Sequence, residues 1–182
     1  MASAPMRYND DGSVDWGNMW DSFCGLALDG GPPHRGTLLA APVGEDAASP
    51  AYQAVVAELQ RGIAEVSGLQ ARPAEAGWLA VDCPEAGMSG WLCDAINSEN
   101  VQARFSGHTL FVPVGAGFAL KGEIKNVITA VAKTSHYWRE HLSPDVKRTL
   151  ALQSRLAGVT TRLSGWLRRA ARPASPPRNA PM

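Results

Sequence analysis

The sequence predicts a layered α/β domain with a mixed sheet, followed by one long amphipathic helix. Three observations carry this expectation. Apolar stretches of helical period alternate with short strand-like runs across residues 1–142, and such alternation argues for helices layered on a sheet. A helix–turn–strand–helix pattern occurs twice. From Ser143 onward the periodicity changes to an arginine-rich heptad.

The two similar units lie about seventy residues apart. The first runs from Trp20-Asp-Ser-Phe-Cys24 through Asp29-Gly-Gly-Pro-Pro-His34-Arg-Gly36 to Thr37–Leu39 and Pro42-Val-Gly44. The second runs from Trp91-Leu-Cys93 through Asn97–Gly107 to His108–Phe111 and Pro113-Val-Gly115. Each reads as a Trp- and Cys-bearing helix, a polar turn and an apolar strand, and a long helix follows both. Self-similarity of this kind reads as an internal duplication. Two ordinary α/β units of similar sequence would look the same.

The elements follow in order. Met19, Trp20, Phe23, Leu26 and Ala27 have helical spacing, with Asp15 or Asn18 as the N-cap. Asp29-Gly-Gly-Pro-Pro stops that helix. Gly36 to Pro42 reads as a buried strand, apolar on both sides. Ser49 before Pro50 is a helix start. It opens a helix to Ser67 whose apolar face is Tyr52, Val55, Val56, Leu59, Ile63 and Val66. Gly68 ends it, and residues 70–76 read as a loop. Trp78 to Cys83 is a strand, and a helix spans about Met88 to Ser98. Val101–Phe105 and His108–Val114 form a hairpin around Ser106-Gly107. Ile124, Val127, Ile128, Val131 and Ala132 mark a one-faced helix from about Leu120 to His141.

The 182 residues are 45% apolar, enough for a core, and the net formal charge is zero. That zero hides a division. Residues 1–146 hold nine basic and 17 acidic side chains, a net of −8, whereas residues 147–182 hold eight basic and no acidic ones, a net of +8. Such asymmetry marks a tail with its own partner. Cys24, Cys83 and Cys93 form no CxxC and no paired framework, which fits a reducing cytosol. The first residues, Met-Ala-Ser-Ala-Pro-Met-Arg, lack the apolar core of a signal peptide. No run of eighteen apolar residues exists that would span a bilayer.

Residues 143–172 are the second unit of the chain, and the proline-rich residues 173–182 read as a disordered end. Ser143-Pro144-Asp145 is a helix start, with an acid near the positive helix end. Thr149, Leu152, Leu156, Val159, Leu163, Trp166 and Ala170 then alternate spacings of three and four, a heptad seam. Leu150 and Leu167 widen the apolar face. Arg148, Arg155, Arg162 and Arg169 recur every seventh position on one flank, and Arg168 adds to them. An isolated helix of this length is marginal in water, so the stripe must be covered. It can pair with sister chains, lie on an anionic membrane with the arginines toward the head groups, or fold back on its own acidic domain. Nucleic acid is a weaker partner, since no recognition motif accompanies the arginines. The flank facing the arginines lacks glutamate, so a simple dimer leaves them without salt-bridge partners. That favours four or more chains.

No catalytic constellation stands out before the tail. The Gly-Gly-Pro-Pro-His34-Arg35-Gly36 turn, with His108 from the second unit, could present two imidazoles and a guanidinium to an anionic small molecule. The same turn also reads as a helix stop with a surface arginine. It is not a phosphate loop, because it follows a helix and precedes a strand. His136 and His141 are five apart, off the spacing that puts two ligands on one helical face, so no metal site is expected. The three cysteines could converge on a metal but read better as small buried apolar groups. Lys121, Lys125 and Asn126 at the start of the last domain helix could meet an anion, though solvated charge explains them as well.

Asp15-Trp-Gly-Asn-Met-Trp-Asp-Ser-Phe-Cys24, Gly30-Gly-Pro-Pro-His-Arg-Gly-Thr-Leu-Leu39 and the arginine-rich C-terminal helix resemble the small scaffold subunit of the mycobacterial-type uptake nickel–iron hydrogenase complex. The resemblance implies a non-catalytic N-terminal domain that grips the large and small hydrogenase subunits. It also implies C-terminal helices that bundle into a hollow stalk at the membrane and guide menaquinone to the enzyme. The metal cofactors would belong to the partner subunits and none to this chain. The stalk lining would be Leu152, Leu156, Val159, Leu163, Trp166 and Leu167. Arg148, Arg155, Arg162, Arg168 and Arg169 would face the membrane. The expected location is cytoplasmic and peripheral to the membrane.

Overall fold

A computed structural model describes residues 6–18 and 36–153. The first unit's helix and turn, with His34 and Arg35, lie outside the described residues, as does the tail from residue 154 onward.

Helix α1 (Pro50–Ser67) is the element the sequence specifies most completely. Ser49 caps it, its Oγ accepting from the Tyr52 N–H at 3.3 Å, with Pro50 in the first turn. Gly68 ends it in the left-handed conformation, φ 69°, and donates to Ala64 O. The buried face is the expected apolar one, with Gly62 and Ser67 added to it. The N-terminal segment is fastened to the same helix. Trp16, 1% exposed, donates its indole N–H to Glu58 at 2.9 Å. Arg61 pairs with Glu58 and Glu65 and also donates to Val14 O at 2.8 Å. Of the two candidate caps, Asp15 serves: its carboxylate accepts from the Asn18 N–H at 3.1 Å, and residues 16–18 are helical.

Four strands form one sheet: β1 (Gln70–Pro73), β2 (Trp78–Asp82), β3 (Arg104–Ser106) and β4 (Thr109–Pro113), in the order β1-β2-β4-β3. Every pairing is antiparallel, so the expected mixed sheet is corrected. Two local differences account for this. Residues 70–73, which read as loop in the sequence, pair with β2, Ala71 opposite Val81. A short polar run ending in Pro suits an edge, where one side of the backbone needs no partner. Conversely, Gly36–Pro42 forms no strand. It makes a single parallel bridge, Leu39 to Val101, outside the sheet. The described part of the first unit therefore does not repeat the β4 strand of the second.

Helix α2 (Ala86–Ser98) connects β2 to β3, which run in the same direction with β4 between them. This is a split βαβ unit. The β3–β4 hairpin turns at Gly107, as the sequence suggests, and inserts its more apolar arm beside β2. Leu79, Val81, Leu110 and Val112 share one face of the sheet, and each is 0% exposed. Helix α3 (Lys125–Glu140), entered through a π-helical turn at Leu120–Ile124, packs on α1 and α2 over that face. The opposite face carries the row Arg72, Ala80, Phe111 and Arg104 across the four strands. The Arg104 guanidinium lies 4.3 Å from the Trp78 ring centroid and 4.9 Å from that of Phe111, and pairs with Glu75.

Cys83 lies just past β2 and is buried; burial pushes its thiol pKa up to about 12. A thiol at that pKa is almost wholly protonated at pH 8 and unreactive. Native protein is expected to leave Cys83 unalkylated by iodoacetamide at pH 8, and denatured protein to label it, as read by peptide mass spectrometry. The linkage has a definite sign. The unfolded thiol ionises near 9.0 and the folded one near 12, so this group's contribution to stability is lost as pH rises through that window. Cys83→Ala should flatten the stability profile between those pH values.

Residues 144–153 are helical, as the Ser143-Pro144-Asp145 start predicts. The Val146 N–H donates to Ser143 Oγ at 3.4 Å. Leu150 packs against the core, and a Cβ on Gly87 at the start of α2 would fall 2.8 Å from the Ala151 nitrogen. Thr149 and Leu152, the first two seam positions, are exposed, Leu152 at 59%. Among the described residues no helix is long and apolar enough to cross a membrane.

Candidate functional site

The most developed site lies in the groove between α2 and α3. Trp91, Ala95 and Ser98 follow one another on a flank of α2 at helical spacing, and Lys133, Thr134 and Tyr137 do the same on α3. With Glu99 they line a cavity of about 300 Å³. The core-facing side of α2 uses other residues, Leu92 and Ile96, both 0% exposed. Trp91 packs against the edge of the core and Thr134 is 4% exposed, so the groove shares these two positions with the interior.

Its wall is aromatic. The Trp91 and Tyr137 rings stack with centroids 5.8 Å apart and an interplanar angle of 10°, while Trp138 meets Trp91 at 48°. Such pairs hold each other in fixed orientations. Trp138 is 3% exposed and takes the Lys147 ammonium over its ring, 5.8 Å from the centroid. The wall is thereby tied to the start of the C-terminal helix.

Its polar end is an ion pair. Glu99 sits at the end of α2, its N–H donating to Ile96 O at 3.0 Å and Ala95 O at 3.2 Å. Asn100 then leaves the helix with φ 59°, a conformation asparagine tolerates. Lys133 Nζ donates to Glu99 Oε1, with the two side chains only 18% and 12% exposed. Glu99 Oε2 is buried and has no hydrogen-bond partner among the described residues. A buried carboxylate oxygen without a donor is costly. The pair as a whole is charge-balanced, so this end of the groove carries no net charge.

The sequence-derived anion site fares differently. His34 and Arg35 lie outside the described residues. His108 is exposed at the tip of the β3–β4 hairpin, where its carbonyl accepts from the Cys83 N–H at 2.9 Å. Leu39, just downstream of the turn, bonds to Asn100 and Gln102 instead, at the other end of β3. The described residues thus bring nothing from the first unit's turn toward His108. The His136 and His141 rings do meet, edge to face with centroids 5.4 Å apart; His141 is the C-cap of α3, its N–H donating to Tyr137 O at 3.0 Å. Among the described residues, no three His, Cys, Asp or Glu gather as metal ligands. Cys83 and Cys93 are buried, and Cys24 is outside the described residues. Lys125 is 8% exposed, and burial pulls its pKa down, which does not suit an open anion site.

Of the tail positions, Arg148 is exposed and pairs with Asp145 at 3.1 Å, and Leu152 is exposed. Leu156, Val159, Leu163, Trp166 and Leu167 lie outside the described residues, as do Arg155, Arg162, Arg168 and Arg169. Sequence reading missed the α2–α3 groove. The available signal was a second stripe, Trp91-Ala95-Ser98, beside the core stripe of α2.

Neither the models of known protein families nor the curated proteins match this chain.

Proposed function

We propose that this chain is a non-catalytic scaffold. It assembles with its own copies, four or more, through the C-terminal helix. It holds the large and small subunits of an uptake nickel–iron hydrogenase and brings them to an anionic membrane surface, with menaquinone guided through the interior of the bundle. The hydrogenase and quinone parts rest on the sequence resemblance alone.

The observation that carries the assembly part is the rotation of residues 144–153. Leu150 is turned toward the body, while Thr149 and Leu152 of the heptad seam are turned away from it. A helix folding its whole apolar stripe onto its own domain would bury Leu152. One that uses the seam for sister chains would leave it outward, because a seam stabilises only when a second helix covers it. The +8 charge of residues 147–182 supports an anionic surface as a further neighbour.

Full-length protein carrying Leu152→Asp, Leu156→Asp and Leu163→Asp tests this. Light scattering should show a folded monomer where the parent gives a particle of four or more chains. A particle of unchanged mass would remove the scaffold reading. Purification of the parent from its native host should bring down a nickel-containing polypeptide.

A further inference from the structure

His136 and His141 are five positions apart, a spacing that does not place two side chains on one face of a regular helix. The structure nonetheless brings their rings together, with centroids 5.4 Å apart and an interplanar angle of 61°. His136 stands within α3, half-buried, and His141 is the exposed C-cap, with φ −112° and ψ −21°. The His141 ring centroid lies 5.1 Å from that of Tyr137, which is itself stacked on Trp91. The helix thus positions one imidazole, and the aromatic stack supports the other.

The ring separation matches a shared metal ion. A tetrahedral transition metal sits about 2 Å from each imidazole nitrogen. Each ring centroid is then about 3.2 Å from the ion, and at the tetrahedral angle the two centroids stand about 5 Å apart. An imidazole has two nitrogens, so a ring held through one still ligates through the other. The neighbouring cations are engaged with other groups. Arg139 donates to Ser67 O, and the Lys147 ammonium donates to Arg139 O at 3.1 Å and lies over the Trp138 ring. Exposed Glu140, next to His141 in sequence, adds a negative charge on the same turn.

We propose that His136 and His141 form a two-histidine site for a divalent transition metal of the copper, nickel or zinc class, with water completing the coordination shell. Imidazole selects such ions over magnesium and calcium, which prefer oxygen ligands. The ion joins the last turn of α3 to the corner that leads into Ser143-Pro144, where the C-terminal helix begins.

The test uses the full-length chain, stripped with EDTA and then dialysed, with Zn²⁺, Cu²⁺ and Mg²⁺ alone as probes. Titration calorimetry reads the affinity, and the imidazole NMR signals locate the Zn²⁺. Zn²⁺ should bind saturably and shift the His136 and His141 signals. Cu²⁺ should bind more tightly, following the affinity order of nitrogen sites, and Mg²⁺ should show no saturable binding. His136→Ala and His141→Ala should each weaken Zn²⁺ by about tenfold or more, whereas His34→Ala and His108→Ala should leave it unchanged. Circular dichroism checks the fold of each variant. Should His136→Ala disturb it, His141→Ala, at an exposed position, decides. The proposal fails if Zn²⁺ shows no saturable binding, if Mg²⁺ displaces it on equal terms, or if a folded histidine variant keeps the parent affinity.

Discussion

Lys133→Met is expected to lower the unfolding free energy by about 3 kcal/mol, the loss typical of a mostly buried ion pair deprived of one partner. The reason lies in what remains. Glu99 sits at the end of α2 with its carboxylate packed in a largely buried position, so water reaches it poorly. Without Lys133 both carboxylate oxygens lack a donor, on a side chain only 12% exposed. Urea denaturation should show a lower midpoint with an unchanged slope. Adding Glu99→Leu should recover most of the loss, because two apolar side chains carry no desolvation cost. A single-variant loss below about 0.5 kcal/mol would instead place the pair among surface salt bridges, which contribute little.

Gly62→Ala is expected to cost about 2 kcal/mol, although alanine is the better helix former by about 1 kcal/mol. Gly62 is buried in α1 where it crosses α3. A Cβ there would fall 2.2 Å from Ile128 Cδ1, 3.0 Å from Ile128 Cγ1 and 3.1 Å from Trp16 Cδ1. Ile128 and Trp16 are each 1% exposed, so neither has room to retreat. The Ile128→Val change removes the clashing Cδ1 and alone should cost about 1 kcal/mol. In the Gly62→Ala background it should restore stability. That reversal of sign is the signature of two residues sharing one volume. Additive losses in the double variant would show that the helices separate rather than clash. Glycine at position 62 therefore sets how closely α1 and α3 approach, and with it the position of α3 against α2.

The same positions show how far sequence reading reaches. Helix α1 was legible to its last residue, because its cap, first-turn proline, apolar stripe and terminal glycine all lie within one continuous stretch. The β3–β4 hairpin and the start at Ser143-Pro144 were legible for the same reason. The anion site was less secure: it joined His34 and Arg35 to His108 through an assumed repeat. The described part of that repeat, Leu39 beside Val101, takes no place in the sheet.

Among the described residues, the sequence by itself determined helices α1 to α3, the hairpin and their apolar faces, along with the division of charge between residues 1–146 and 147–182. Each of these is written in neighbouring residues, through a period, a cap or a run of charge. The tertiary structure alone decided that Gln70–Pro73 becomes an edge strand, that β4 enters between β2 and β3, and that the sheet is antiparallel throughout. It also decided that Glu99 meets Lys133 across 34 positions and that Trp91 meets Tyr137. Strand partners and groove walls depend on which edges and flanks remain uncovered once every other element has packed, and no local stretch of chain carries that information.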